Sequence, residues 1–531
     1  MPVNETTQLL TRPQDEQSSD GQSSDHGDDS IESSGRIRLA IFIAYLGAFL
    51  ASSDESLVIA TYDIIASEFH ELSKGSWLVT GYNLGYCISL PVYGTLADTC
   101  GRKTSMLLGY LLFALGCLIC STSDSMTQLI AGRVISGAGS SGMVVMISIL
   151  ITDLAAPSDV ALLRSYTNVV NMIGRGVGAP LGSLMVNSLG WRWAFAGRLP
   201  LILLCLLLSR VQFPMNRKES STTVAETSNI EKVKRLDYFG IANFAAAVVT
   251  LLLALTAAGT VDAKTSTVYA LLGVCAMATV VFAYHECLWA TKPLVPLRLI
   301  TQGIGQYWLV QVILFSGRNG VIATITQYMT QVKKMPEERA TFFLVLCTMA
   351  LAGGSIISGF SIKRTKRYKK MSIISGVVSI ISSTLLFFSW HFDRPVWESL
   401  LVIPMSTPIG IIISGEFIGM TTRAPQEDLA ACVGAYYLSQ QLGIILGASI
   451  APLLVRTGFM HDMAGRFGGE TQEIVRHILS DSKYIDTLPA GMQEVVRSSL
   501  QYGYQFIPVF ATVTAAVCLP SWILTREERV D

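Results

Sequence analysis

Gly94-Thr95-Leu96-Ala97-Asp98-Thr99-Cys100-Gly101-Arg102-Lys103 is a short polar break between two apolar spans, and its reading decides the fold. Gly94 and Gly101 permit a tight approach of backbones. Asp98 can accept bonds from a helix N-terminus or an arginine, while Arg102 and Lys103 fall at headgroup level. A tight charged loop clamped between apolar helices is suited to a gate, closed in one state and broken in the other, rather than to a catalytic centre.

Composition makes the membrane assignment independently. Half of the residues are hydrophobic and 15% are charged, against about 25% in soluble domains, and mean hydropathy is +0.46. The formal net charge is zero, so no global field recruits nucleic acid. The cysteines sit nearly all in apolar spans, as Cys117 and Cys120 do, which makes them packing residues and argues against a disulfide framework or a thiolate metal site.

A hydrocarbon core of about 30 Å requires about 20 apolar residues per helix. Fourteen stretches meet that test: 37–58, 76–97, 104–122, 127–150, 165–187, 192–213, 237–258, 267–289, 304–328, 340–361, 371–390, 398–420, 431–455 and 504–524. The even count puts both ends of the chain on one side. One set of loops carries Arg36 and Arg38, Arg102 and Lys103, a run from Arg217 to Arg235, and Lys363, Arg364, Lys366, Arg367, Lys369 and Lys370. The alternate loops are poorer in Lys and Arg, so the basic set and the N-terminus are expected in the cytosol.

Residues 1–35 are rich in Ser, Asp, Glu, Gln and Gly and are expected to form a disordered tail. No basic start followed by a short apolar run precedes the first span, so that helix is expected to act as its own insertion signal. Segment 214–236 is expected to be a cytosolic loop, and 456–503 a long luminal one.

Gly359-Phe360-Ser361-Ile362-Lys363-Arg364 follows the tenth span much as the opening stretch follows the second, with Lys363 in the place of Asp98. The expected architecture is all-α: a six-helix bundle over 36–213, an inserted helix pair over 237–289, and a second six-helix bundle within 290–531. Internal duplication of this kind places a substrate site at the midplane between halves that rock against each other.

The opening stretch resembles the signature that follows the second helix of major facilitator superfamily transporters. Arg133-Val134-Ile135-Ser136-Gly137-Ala138-Gly139 is similar to that family's element in its fourth helix, and Gly174 through Gly178-Ala179-Pro180-Leu181-Gly182 to its antiporter element. Gly190-Trp191-Arg192-Trp193, Asp237-Tyr238-Phe239-Gly240 and Lys292-Pro293-Leu294-Val295-Pro296-Leu297 resemble the fourteen-helix drug:proton antiporter branch. Ser53-Asp54-Glu55-Ser56-Leu57-Val58 with Ile65-Ala66-Ser67-Glu68-Phe69 resembles the fungal vacuolar basic amino-acid permeases of that branch. Glu5-Thr6-Thr7-Gln8-Leu9-Leu10 resembles an acidic dileucine sorting signal read by clathrin-adaptor complexes.

Charges inside spans are the best clues to chemistry, because each costs at least a few kcal/mol at mid-membrane unless paired or hydrated. Asp54 is expected to exchange a proton or meet a cationic substrate. Glu55 lies about 100° around the same helix, so the two acids do not share one cavity. Arg133 is expected to set the protonation of a partner acid or to hold the first and fourth helices together. Glu416 takes a substrate ammonium or pairs with Arg318, and Glu286 is an interfacial anchor. In the fifth span Gly174, Gly178 and Gly182 recur every four residues and line one face, with Pro180 adding a kink.

Gly137-Ala138-Gly139-Ser140-Ser141-Gly142 matches a nucleotide-binding pattern, but lies inside an apolar helix with no strand before it. No Walker loop and no histidine spacing suited to a metal are present, and no enzyme chemistry or cofactor is expected. The resemblance implies a secondary transporter of the vacuolar membrane, exchanging protons for amino acids, basic ones such as lysine and arginine. The alternatives are a plasma-membrane exporter of drugs and an amino-acid sensor without net transport.

Overall fold

The computed structural model describes residues 25–71, 74–212, 237–259, 264–290, 293–392, 395–467, 489–525 and 527. Every regular element among them is helical. The first half runs α1 (Asp25–Glu68), α2 (Trp77–Cys100), α3 (Arg102–Ser121), α4 (Met126–Leu154), α5 (Pro157–Leu189), α6 (Trp191–Ala196) and α7 (Leu199–Gln212). The inserted pair is α8 (Tyr238–Gly259) and α9 (Thr265–Leu288). The second half comprises α10 (Gly305–Gln331), α11 (Glu337–Thr365), α12 (Lys369–His391), α13 (Val402–Arg423), α14 (Leu429–Phe467), α15 (Ala490–Tyr504) and α16 (Phe506–Leu524).

Thirteen segments among the described residues are long and apolar enough to cross a membrane. The remaining one of the expected fourteen is α2, whose 24 residues extend about 36 Å. It carries Tyr82, Asn83, Tyr86, Thr95 and Asp98 because it packs on α4 and α14 instead of facing lipid.

Two expected boundaries shift. α1 starts at Asp25, so the end of the supposed tail is helical: once a long apolar helix is nucleated, each further residue costs little to add. The supposed luminal loop is entered by α14, which continues to Phe467, and left through α15. Val496, Ser499, Leu500 and Tyr504 of α15 are buried, at the three- and four-residue spacing of one helix face. Residues 213–236 and the sorting stretch with Glu5, Leu9 and Leu10 lie outside the described residues.

Helix ends follow local sequence. Gly101 at φ 90° separates α2 from α3, and Gly190 at φ 92° separates α5 from α6, a backbone region that costs residues with a Cβ. Gly197 and Pro200 break the sixth crossing into α6 and α7, since proline offers no N–H to the preceding turn. Asp237 caps α8 by accepting from Gly240 N–H at 2.8 Å and meets His285 of α9 at 2.7 Å, which ties the inserted pair together. Glu286 is buried and accepts Val295 N–H at 2.7 Å, so it holds the loop before α10 rather than anchoring at the interface.

The two halves meet through α2 against α14 and α5 against α11. A Cβ on Gly94 would stand 2.6 Å from Ala430 O, and one on Gly434 2.9 Å from Leu90 O. Gly359 of α11 is equally close to α5, its Cβ position 2.9 Å from Leu162 Cα. Within the first half, Gly174, Gly178 and Gly182 press on Phe49, Ser53 and Leu57 of α1, so both helices keep a four-residue register along one seam. α5 is helical throughout, Pro180 included.

Gly178→Val places side-chain atoms on the Ser53 backbone, which cannot yield as a flexible side chain can. We expect a loss of about 1–3 kcal/mol from overpacking, read as a lower thermal midpoint of the purified protein. An unchanged midpoint would show that the seam is loose.

Candidate functional site

Between the halves lies a cavity of about 130 Å³, room for several waters at about 10–15 Å³ each. The first half contributes Glu55 of α1, Tyr82, Asn83 and Tyr86 of α2, and Arg164 and Arg175 of α5. The second contributes Phe315 and Arg318 of α10, Thr348 of α11 and Tyr437, Gln440 and Gln441 of α14. The Gln441 amide donates to Asn83 across the halves at 3.0 Å, and the Asn168 amide to Ser355 at 2.9 Å.

Glu55 is the cavity's one carboxylate and is paired with Arg175 at 3.0 Å, with both side chains partly exposed. Arg164 lies 3.3 Å from the centre of the Phe417 ring and donates to the Tyr437 hydroxyl at 3.1 Å. That hydroxyl in turn shares a 2.5 Å hydrogen bond with Ser148. Arg318 is 8% exposed, and its Nε has no hydrogen-bond partner.

Asp54, the residue expected to meet protons or substrate, is elsewhere. Its side chain has no exposed surface and does not line the cavity. Arg133 Nη1 stands 2.6 Å from one of its oxygens and Arg198 Nη1 is bonded to the other. Arg133 also donates to Leu78 O at 3.2 Å and packs over the Tyr82 ring at 4.4 Å. One carboxylate thus joins α1, α4 and the break between α6 and α7. The expected tie between the first and fourth helices is present, but Asp54 is a structural hub and its neighbour Glu55 faces the cavity. The two point apart because a helix turns 100° per residue.

The opening stretch lies where the two halves meet. Arg102 Nη1 is 2.9 Å from Asp98 and its Nε 2.8 Å from Asp153, while Asp98 accepts the Ala431 N–H at the start of α14. Lys103 follows, half-buried, on the first turn of α3. In the related position Lys363 bridges the halves to Asp159 at 2.9 Å, and Arg298 meets Asp428 at 2.5 Å. With the glycine crossings, the Asp98–Ala431 and Lys363–Asp159 contacts tie the halves together at the end that bears the basic loops.

Glu416 is buried on α13 and does not line the cavity. Among the described residues it forms no ion pair with Arg318, which lines the cavity from α10. Sequence reasoning passed over Arg198, although Gly197-Arg198-Leu199-Pro200 carries the signal of a charge at a helix break. Arg164 falls just outside the expected span 165–187, because α5 begins eight residues earlier, at Pro157.

The sequence profile of the Major Facilitator Superfamily matches residues 44–448. The chain belongs to that superfamily. It is 27% identical over 481 residues to the vacuolar membrane amino acid uptake transporter fnx2 of Schizosaccharomyces pombe, covering 89% of this chain and 82% of the relative. It is 25% identical to the multidrug resistance protein fnx1 of the same yeast, covering 91% of both chains. The vacuolar basic amino acid transporter 1 of Saccharomyces cerevisiae is 24% identical, covering 77% of this chain and 76% of the relative. The protein is a multi-pass membrane transporter of the major facilitator fold.

In this superfamily member the hub and the cavity acid separate by stability. Asp54→Asn leaves two buried guanidiniums without a counter-charge and is expected to cost about 3–5 kcal/mol. Glu55→Gln loses a partly exposed pair worth about 1 kcal/mol or less. Thermal unfolding of the two variants in detergent, side by side, checks the ranking; equal midpoints would contradict it.

Proposed function

We propose that this transporter exchanges protons for amino acids across the vacuolar membrane, with the basic loops and the N-terminus in the cytosol. One observation carries the reading: the cavity between the halves holds a single carboxylate, Glu55, on an arginine. A carboxylate cannot hold a proton and ion-pair an ammonium together, so the two ligands exclude each other and must alternate. The groups facing Glu55 are Arg175, Tyr82 and Tyr86. Protonation of Glu55 removes the partner of Arg175, and only when that proton leaves is the carboxylate again free to hold Arg175 or a substrate ammonium. Luminal protons would load this group, leave to the cytosol when the halves rock, and be replaced by substrate on return. The conformation described here, with the halves tied together at the basic end, corresponds to the lumen-facing stage of that cycle.

The named activities of fnx2 and of the basic amino acid transporter favour amino acids as cargo and the vacuole as location. The likeness to fnx1 favours a second reading, a multidrug:proton exporter of the plasma membrane. Drug-sized sites are lined predominantly by apolar and aromatic groups, whereas this cavity brings together three arginines and a glutamate. The proposed cargo is therefore an α-amino acid, whose ammonium answers Glu55.

Full-length protein in liposomes with an acidic interior should accumulate labelled amino acid when a pH difference is imposed. Glu55→Gln should lower the gradient-driven part at least tenfold. Equal flux with and without the gradient would refute proton coupling, and binding without flux would favour a sensor. Leu9→Ala combined with Leu10→Ala should move a fluorescently tagged copy from the vacuole to the plasma membrane if the tail is read by a clathrin adaptor. Unaltered vacuolar fluorescence would remove the sorting role.

A further inference from the structure

The charged groups of the cavity do not balance. Arg164, Arg175 and Arg318 face one carboxylate, Glu55, a formal surplus of two positive charges. Glu55 is taken by Arg175, and no other carboxylate among the described residues pairs with Arg164 or Arg318. Arg164 is satisfied in part by Tyr437 and the Phe417 ring, whereas Arg318 has a buried Nε without a partner. A buried guanidinium without a counter-ion is costly, and a planar carboxylate is the ligand that matches its fork of donors.

We propose that Arg318 is the carboxylate-binding group of the cavity and that the site selects amino acids of zero or negative net charge over the cationic ones. The inference rests on the amino-acid reading above and narrows it. The α-carboxylate docks on Arg318 from the second half while the α-ammonium answers Glu55 from the first, so one small molecule bridges both halves. A cationic side chain adds a third positive group to a cavity that already has a surplus, and like charges in a low-dielectric site repel strongly. An acidic side chain finds Arg164.

The test measures equilibrium binding of labelled glutamate, alanine and lysine to the purified full-length protein, with uptake into liposomes in parallel. Wild type should bind alanine and glutamate at least tenfold more tightly than lysine. Arg318→Gln should weaken alanine and glutamate at least tenfold, and Arg318→Lys should restore part of the loss, which a purely structural arginine would not do for both ligands. Lysine bound as tightly as alanine, or affinities unmoved in Arg318→Gln, overturns the proposal. Should Arg318→Gln fail to fold, the wild-type ranking and Arg318→Lys decide. Transport of lysine in preference to the others defeats this inference alone, whereas no binding or uptake of any of the three defeats the amino-acid reading beneath it.

Discussion

The carboxylate of Asp54, enclosed between Arg133 and Arg198, fixes the rotation of α1. Removing such a group from water is expensive, and only partners at close range make it tolerable. Each partner comes from a different element, α4 and the interruption between α6 and α7. The rotation of α1 about its axis is thereby set, and with it the face that Glu55 presents to the cavity. The same rotation brings Phe49, Ser53 and Leu57 onto the glycines of α5. The seam and the ion cluster thus rest on neighbouring faces of one helix, about 100° apart.

Contact between the halves at the basic end has a different physical basis. Hydrocarbon surrounding the helices gives little drive to associate, so close backbone packing has to supply it. Gly94 against Ala430, Gly434 against Leu90 and Gly359 against Leu162 provide that packing at both crossings of the halves. Beside the glycines, Lys363 pairs with Asp159 across the halves, while Arg102 holds Asp98 and Asp153 together within the first half. These pairs are partly exposed, and exposed pairs are worth about 1 kcal/mol or less each. A contact of this kind can hold and still release, as alternating access requires. The ionic cluster at Asp54 is buried instead, and all its members belong to the first half.

The inserted pair α8 and α9 is built by the same rules. Asp237 caps one helix and grips His285 of the other, while Glu286 fastens the loop leading to α10. α8 packs on α2, beside the crossing of α2 and α14, so the insertion flanks the interface between halves without entering the cavity.

Span length and composition sufficed in the sequence for an all-helical membrane chain, because hydrophobic thickness acts on each segment separately. The spacing of Gly174, Gly178 and Gly182 likewise announced a packed face, since helical periodicity is local. Spacing could also say that Asp54 and Glu55 point apart, but not which of them meets the cavity. That choice needed Arg198, 144 residues away in the chain. The separation of Glu416 from Arg318, and the unbalanced charge around Arg318, were decided by how the helices stand against one another. Electrostatic partnership is a matter of distance through space, and only the assembled tertiary structure sets it.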